Sequence, residues 1–205
     1  MNIQAWTEAF NQVKNGTKAQ RLYLCERDFS LFFAYYFVDY LKYPFASFHW
    51  EMFDDLKDLE EGRVRELVWM MFRESAKTSF AEGFVTWCIC FLKRKYINVD
   101  SVSKTNSERI LYSVINNLQA NNLIIQDFGH LYNETRDPNL STVKRQMDFL
   151  ANENRVRVEA HTTATDVRGR KHIEQRPDLL IMDDFETSET KKSVAETKSA
   201  IAHID

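Results

Sequence analysis

Glycine and proline are scarce, with five and three among 205 residues, so long flexible linkers are not expected. Cysteine is scarcer in kind than in number. Cys25, Cys88 and Cys90 make an odd set without zinc-type spacing, which suits buried thiols in a reducing cytoplasm. Basic charge is not in excess: 27 Lys and Arg stand against 30 Asp and Glu, a net charge of −3. A chain that clamps nucleic acid over its whole surface is usually basic, so any DNA contact is expected to be local or shared with other chains. Long hydrophobic runs are missing too. The aromatic stretch 29–40 has an apolar centre at 31–38, far short of the ~20 residues a spanning helix needs. Asp28 and Asp39 bracket it, and it reads as a packed helix rather than a membrane segment. There is no secretory signal, internal repeat or low-complexity stretch.

What is present is a folding composition, 44% hydrophobic and 28% charged. The length fits one domain with a short N-terminal extension. Residues 1–25 read as polar surface helix and 28–41 as an aromatic helix stopped by Pro44, which lacks an amide donor. A helix over about 48–60 carries Phe48, Met52, Phe53 and Leu56 at helical spacing and ends at Gly62.

The pattern then changes. Residues 67–72 form a continuous apolar run of strand length, expected to be buried on both faces. From Ser79 the period becomes helical, with Phe80, Phe84, Trp87 and Phe91 on one face. Residues 97–102 read as a strand. Thr105 to Glu108 resembles a capping box opening a helix with Leu111, Ile115 and Leu118 on one face. Residues 127–154 look polar and irregular, with a short strand near 149–150. Residues 155–160 alternate as an edge or half-exposed strand does, and 179–182 is the last buried strand. Strands alternating with helices predict an α/β fold with a largely parallel central sheet flanked by helices.

The segment Met71-Phe72-Arg73-Glu74-Ser75-Ala76-Lys77-Thr78-Ser79 follows an expected strand and opens a helix. That is the context of the phosphate-binding loop G-x-x-x-x-G-K-[ST]. The helix start offers free amides to phosphate, the lysine reaches the outer phosphates, and the hydroxyl of Thr78 can bind Mg²⁺. Met71 and Ala76 occupy the two glycine positions. The second matters more, because the backbone there must approach phosphate in a conformation that is costly for a residue with a side chain. About a hundred residues downstream, the strand 179–182 ends in Asp183, Asp184 and Glu186. Carboxylates this close repel, and a cation is a natural reason to hold them together. A strand-end carboxylate that holds Mg²⁺, beside another that polarises water, completes an ATP-hydrolysing set.

These residues together resemble the N-terminal ATPase domain of the large terminase subunit of tailed bacteriophages, the motor that packages DNA. Arg73 stands four positions before Lys77, as in that family's deviant loop. Residues 43–53 resemble its segment before the first strand, and Val167-Arg168-Gly169-Arg170 its element before the acidic strand. The likeness runs from about residue 28 to 190.

The resemblance implies a P-loop NTPase of the ASCE/RecA-like class. Residues 1–60 would be a helical extension or lid contributing to the adenine pocket, and 61–205 the ATPase core. Residues 73–79 would bind ATP, with Phe48 and His49 at the adenine. Thr78 and Asp183 would hold Mg²⁺, and Asp184 or Glu186 would be the base. Arg73 would act near the γ-phosphate, and Arg168, with Arg170 as alternate, would be a finger donated to a neighbouring subunit. The implied partners are double-stranded DNA, a portal protein and a small terminase subunit. The implied setting is a homo-oligomeric ring in the infected host's cytoplasm, outside the mature virion, with the isolated fragment as a monomer. The family's coupling motif and nuclease domain are not found in this sequence, so no nuclease activity is expected. Two other readings use the same residues: another P-loop translocase or helicase, and a degenerate module that binds nucleotide without turnover.

Overall fold

The computed structural model describes residues 2–41, 43–131, 142–143, 146–151, 154–162 and 176–183. Seven α-helices, one 3₁₀ turn and five strands are found among them. The chain divides into two compact units, Met1–Trp87 with Asn121–Gly129, and Cys88–Ala120 with His130–Asp205.

The first unit is helical. Helix α1, Ile3–Asn15, is capped by Asn2, whose side chain accepts the amides of Gln4 and Ala5. Helix α2, Lys18–Arg27, opens with a reciprocal box between Thr17 and Gln20. Helix α3, Phe29–Tyr36, opens at Asp28, which accepts the amide of Ser30. A 3₁₀ turn, Val38–Tyr40, follows, and then α4, Ser47–Glu60. The expected end of α4 holds: Gly62 follows in the left-handed region at φ 72°.

The aromatic residues of α3 face inward. The rings of Phe33 and Phe53 lie 4.9 and 4.7 Å from Phe80, so three helices share one aromatic core. Close approach requires Gly83, where a Cβ would stand 2.5 Å from the Phe33 ring. Helix α5, Lys77–Cys90, is buried on nearly every side from Glu82 to Cys90 rather than along one stripe. Its sequence is apolar nearly all round there, which is the mark of a central helix.

A buried ion network ties the unit together. Arg21 donates through two nitrogens to Asp127 at 2.7 and 2.9 Å, and the Tyr36 hydroxyl donates to the same carboxylate at 2.7 Å. Asp127 sits on α7, Asn122–Phe128. Burial pushes its carboxyl up, but the hydrogen bonds from Arg21 and Tyr36 outweigh that and hold it below its ordinary range.

The second unit contains the sheet, in the order β2-β3-β4-β1-β5. Its strands are β1 (Tyr96–Ser101), β2 (Thr142–Val143), β3 (Gln146–Ala151), β4 (Asn154–Thr162) and β5 (Leu179–Asp183). Helix α6, Lys104–Ala120, packs on β1 and β4 and buries Ile110, Leu111, Val114 and Leu118. The sheet is mixed: β1 pairs in parallel with β4 and β5, whereas β3 pairs antiparallel with β2 and β4. The largely parallel sheet expected from sequence therefore describes the β4-β1-β5 side only. Ala151 and Asn154 are register partners separated by two residues, a connection too short for anything but an antiparallel return.

Three further expectations change. Strand β4 is not an edge. It lies between β3 and β1, and its polar alternation meets other polar groups instead of solvent. Arg157 donates to both oxygens of Asp148 at 2.6 and 2.8 Å, Tyr96 donates to Glu159 at 2.8 Å, and His161 lies 3.0 Å from Glu159. Burial raises the Glu159 carboxyl, but His161 and Tyr96 more than reverse this and hold it low. Helix α6 is capped two residues earlier than expected, where Ser103 Oγ accepts the Asn106 amide at 3.2 Å. Residues 67–72 form no strand; they run without a sheet partner among the described residues.

Candidate functional site

The expected phosphate loop lies in the first unit, directly before α5. Glu74 and Ala76 have φ of 66° and 62°, and no positive φ is found at Arg73, Ser75 or Lys77. Side-chain-bearing residues in this region cost on the order of 1–3 kcal/mol each, a strain that collects at functional loops. Left-handed residues within a turn are one component of the backbone concavities that bind anions. Ala76 explains the pattern glycine at its position: the backbone does adopt the conformation that glycine takes without strain.

Three side chains complete the loop. Ser75 is buried, and its Oγ has no hydrogen-bond partner among the described residues. An orphaned buried hydroxyl costs roughly 1–3 kcal/mol, which an incoming acceptor would recover. Lys77 folds back, donating from Nζ to the carbonyls of Met71 at 3.0 Å and Phe72 at 3.3 Å. Thr78 and Ser79 stand half-buried in the first turn of α5, and Arg73 and Glu74 are exposed. The loop thus gathers a cation, an unsatisfied hydroxyl and a helix N-terminus, a chemistry that fits phosphate.

Phe48 and His49 open α4 in the same unit. The Phe48 ring lies 5.4 Å from that of Phe72, one residue before Arg73. His49 stacks on Phe80 at 5.7 Å, and its Nδ1 accepts the Ala46 amide at 2.9 Å. Burial lowers the His49 pKa, in keeping with an acceptor nitrogen that must stay unprotonated. His49 therefore has a local capping task, and Phe48 lies beside the approach to the loop.

The acidic strand belongs to the second unit. Asp183 ends β5 half-buried, in parallel register with Ser101 at the end of β1, which is also in register with Thr162 at the end of β4. Ligands of open α/β sheets gather beyond such carboxyl ends. Ser101 is fully buried, and its Oγ has no partner among the described residues. The sequence reading missed Ser101. Its signal was a hydroxyl on the last residue of a strand that a parallel sheet places beside the acidic one.

Thr78, at the start of α5 in the first unit, and Asp183, at the end of β5 in the second, each carry an oxygen donor of the type Mg²⁺ takes. Asp184, Glu186, Arg168 and Arg170 lie outside the described residues. No protein-family model, curated protein or solved structure matches the chain.

Proposed function

We propose that this chain is an ATPase of the P-loop, RecA-like kind that serves as the ATPase part of a viral DNA-packaging motor. The observation that carries the nucleotide-binding part is the loop at 73–77. Two left-handed residues flank a buried, unsatisfied Ser75 immediately before a 14-residue helix that begins with Lys77. Lys77 and the loop amides would hold the outer phosphates of ATP. Thr78 and Asp183 would hold Mg²⁺, which would supply positive charge beside the terminal phosphate. Asp184 or Glu186 would orient the attacking water, with Arg73 beside the γ-phosphate.

The packaging role is supported by the sequence likeness alone: Arg73 four residues before Lys77, residues 43–53, and Arg168 to Arg170. Under this reading double-stranded DNA, a portal protein and a small terminase subunit are the partners, in the cytoplasm of an infected bacterium. Arg168 or Arg170 would act on ATP bound to a neighbouring subunit of a ring. No helix among the described residues is long and apolar enough to cross a membrane.

The test is nucleotide binding measured beside phosphate release. Lys77→Ala is expected to weaken ATP binding at least tenfold, and Asp183→Ala to abolish release while ATP still binds without Mg²⁺. Unchanged binding in Lys77→Ala would remove the loop from the site. Binding without release at every protein concentration would leave the module that binds without turnover. Release that climbs steeply with concentration and drops in Arg168→Ala would favour the ring.

A further inference from the structure

The helical unit holds an open cavity of about 750 Å³ that none of the expected site residues lines. One wall is α1, which lays Ile3, Trp6, Phe10 and Lys14 along one face at three- and four-residue spacing. Helix α3, the chain that follows it and α4 supply other parts of the lining, including Ala34, Phe45 and Trp50. The space is there because of Ala34. This buried residue stands between Phe33 and Tyr35 in an otherwise aromatic stretch, and puts a methyl group where its neighbours carry rings.

The aromatic walls are fixed in place. Trp6 Nε1 donates to Ser30 Oγ at 2.7 Å, and that hydroxyl donates in turn to Asp28. The Trp6 ring stacks on Phe10 at 5.0 Å and meets Trp50 edge-on at 5.1 Å, while Phe45 meets Trp50 edge-on at 5.1 Å. Rings locked in this way cost a ligand little further ordering. The exposed side chains of Ile3 and Val38 leave the cavity open to solvent.

We propose that this cavity binds a small multi-ring aromatic molecule that carries one negative charge. Its volume lies within the range of about 300–1,000 Å³ in which single small ligands are held. Ring-on-ring contact holds an aromatic guest by more than its buried area, so walls of Trp6, Phe10, Phe45 and Trp50 select rings over alkyl chains. The charge follows from the lining. Among the described residues that form it, Lys14 alone is charged, no carboxylate is present, and Lys14 makes no ion pair. Trp50 adds an indole N–H that donates to no group among the described residues. A single cation matches a monoanion and leaves a triphosphate mostly uncompensated. Residues 71–79, Phe48 and His49 take no part in the lining, so the proposal stands whether or not the phosphate loop binds ATP.

Two fluorescent probes of nearly the same shape test this on the 205-residue protein. The first is 1-anilinonaphthalene-8-sulfonate, and the second is N-phenyl-1-naphthylamine, which lacks the sulfonate. The anion is expected to bind at one site per chain, and the neutral probe about fivefold more weakly, the scale of one exposed ion pair. Lys14→Met should bring the anion down to the neutral probe's affinity and leave the neutral probe unchanged, an outcome that a general loss of structure does not produce. Ala34→Leu fills the space from the core side, and Val38→Trp covers it from an exposed position without touching the core. Each should abolish binding of both probes, with circular dichroism unchanged in Val38→Trp. Naphthalene-2-carboxylate should displace the anion more strongly than decanoate does. The proposal is overturned by equal affinity for the two probes, by a Lys14→Met variant that weakens both alike, or by binding that survives Val38→Trp. It is overturned as well if decanoate is the stronger competitor, which would make the guest aliphatic, or if ATP displaces the anion, which would make the cavity part of a nucleotide site.

Discussion

Residues 67–72 and strand β5, Leu179–Asp183, are alike as sequence: Leu-Val-Trp-Met-Met-Phe and Leu-Leu-Ile-Met-Asp, each a short apolar run that leads into a polar turn or cluster. Their structures differ. β5 is zipped to β1 through five register partners, from Ile97↔Leu179 to Ser101↔Asp183. It is also clamped at its start, where the Asp178 carboxylate accepts the amides of Lys95 and Tyr96 at 2.8 and 3.0 Å and the Asp178 amide donates to the Tyr96 carbonyl at 2.9 Å. Residues 67–72 have anchored side chains and no backbone partner among the described residues. An apolar run shows that a segment can bury one or both faces as a strand. Whether it becomes one depends on a neighbouring backbone, which local sequence does not contain.

The largest predicted effect sharpens this contrast with the same substitution in both environments. Val99 is fully buried in β1, which has a partner strand on each side, so its amide faces one ladder or the other. Val99→Pro removes a ladder hydrogen bond and forces strain on the core, for a loss of roughly 3–5 kcal/mol. Met70→Pro removes an exposed residue's amide that bonds to no other backbone group among the described residues, and its cost is expected to stay within ~0.5 kcal/mol, the range of ordinary surface changes. Urea unfolding of the two variants measures the gap. Equal losses would mean that 67–72 is a paired strand in solution and would erase the comparison.

The same physics explains how much could be read beforehand. Strand β1 and helices α4 and α6 were legible within a residue or two, because their periodicity is set by burial on one or both faces; the bounds of β5 were legible too, but the expected buried strand stands at the end of the sheet order with Leu180 exposed and its other residues half-buried. Strands were read near 149–150 and at 155–160, but their pairing as a hairpin and their full extent were not, since Asp148, Arg157, Glu159 and His161 look like solvent-facing residues until their mutual neutralisation is seen. Pairing of buried charges is a tertiary property with no local period. In the candidate site, the positions of Lys77, Thr78 and Asp183 at element ends followed from motif spacing. The left-handed conformation at Ala76 was anticipated from the missing glycine. The carbonyl ligands of Lys77 and the buried hydroxyl of Ser101 were not legible. The first depends on a side-chain fold-back and the second on which strands become neighbours.

A smaller effect is predicted at the clamp. Asp178→Ala deletes the acceptor for two amides at the entry to β5, while the register bonds farther along remain. The loss should be about 1–3 kcal/mol, the cost of stranding partly buried donors. Faster hydrogen exchange should be confined to the β1–β5 ladder, and the β3–β4 ladder should keep its protection. If β5 exchanged no faster, the clamp would be incidental, and the pairing of β5 would rest on its apolar contacts alone.

The smallest effect concerns how 67–72 is anchored. Its side chains rest on α4 through Asp55 and Phe48, and the first turn of α4 is capped by His49 Nδ1 accepting the Ala46 amide. A protonated imidazole cannot accept there, and burial already lowers the His49 pKa in the folded chain. The unfolded state, with the ordinary value near 6.5, therefore binds more protons as pH falls. By linkage the His49 contribution is present above about pH 6.5 and declines as the pH drops through that value toward the lower folded pKa. Its size is that of one exposed cap, under about 1 kcal/mol. A glutamine side chain in its place would keep an acceptor and not titrate. The His49→Gln variant should therefore match the parent in thermal stability at pH 7.5 and slightly exceed it at pH 5.5, with faster exchange at the start of α4 in the parent alone. A stability difference that does not change with pH would show that the anchor of 67–72 does not pass through the His49 cap. The contacts from Asp55, Phe48 and Lys77 would then be sufficient to hold a segment that has no backbone partner among the described residues.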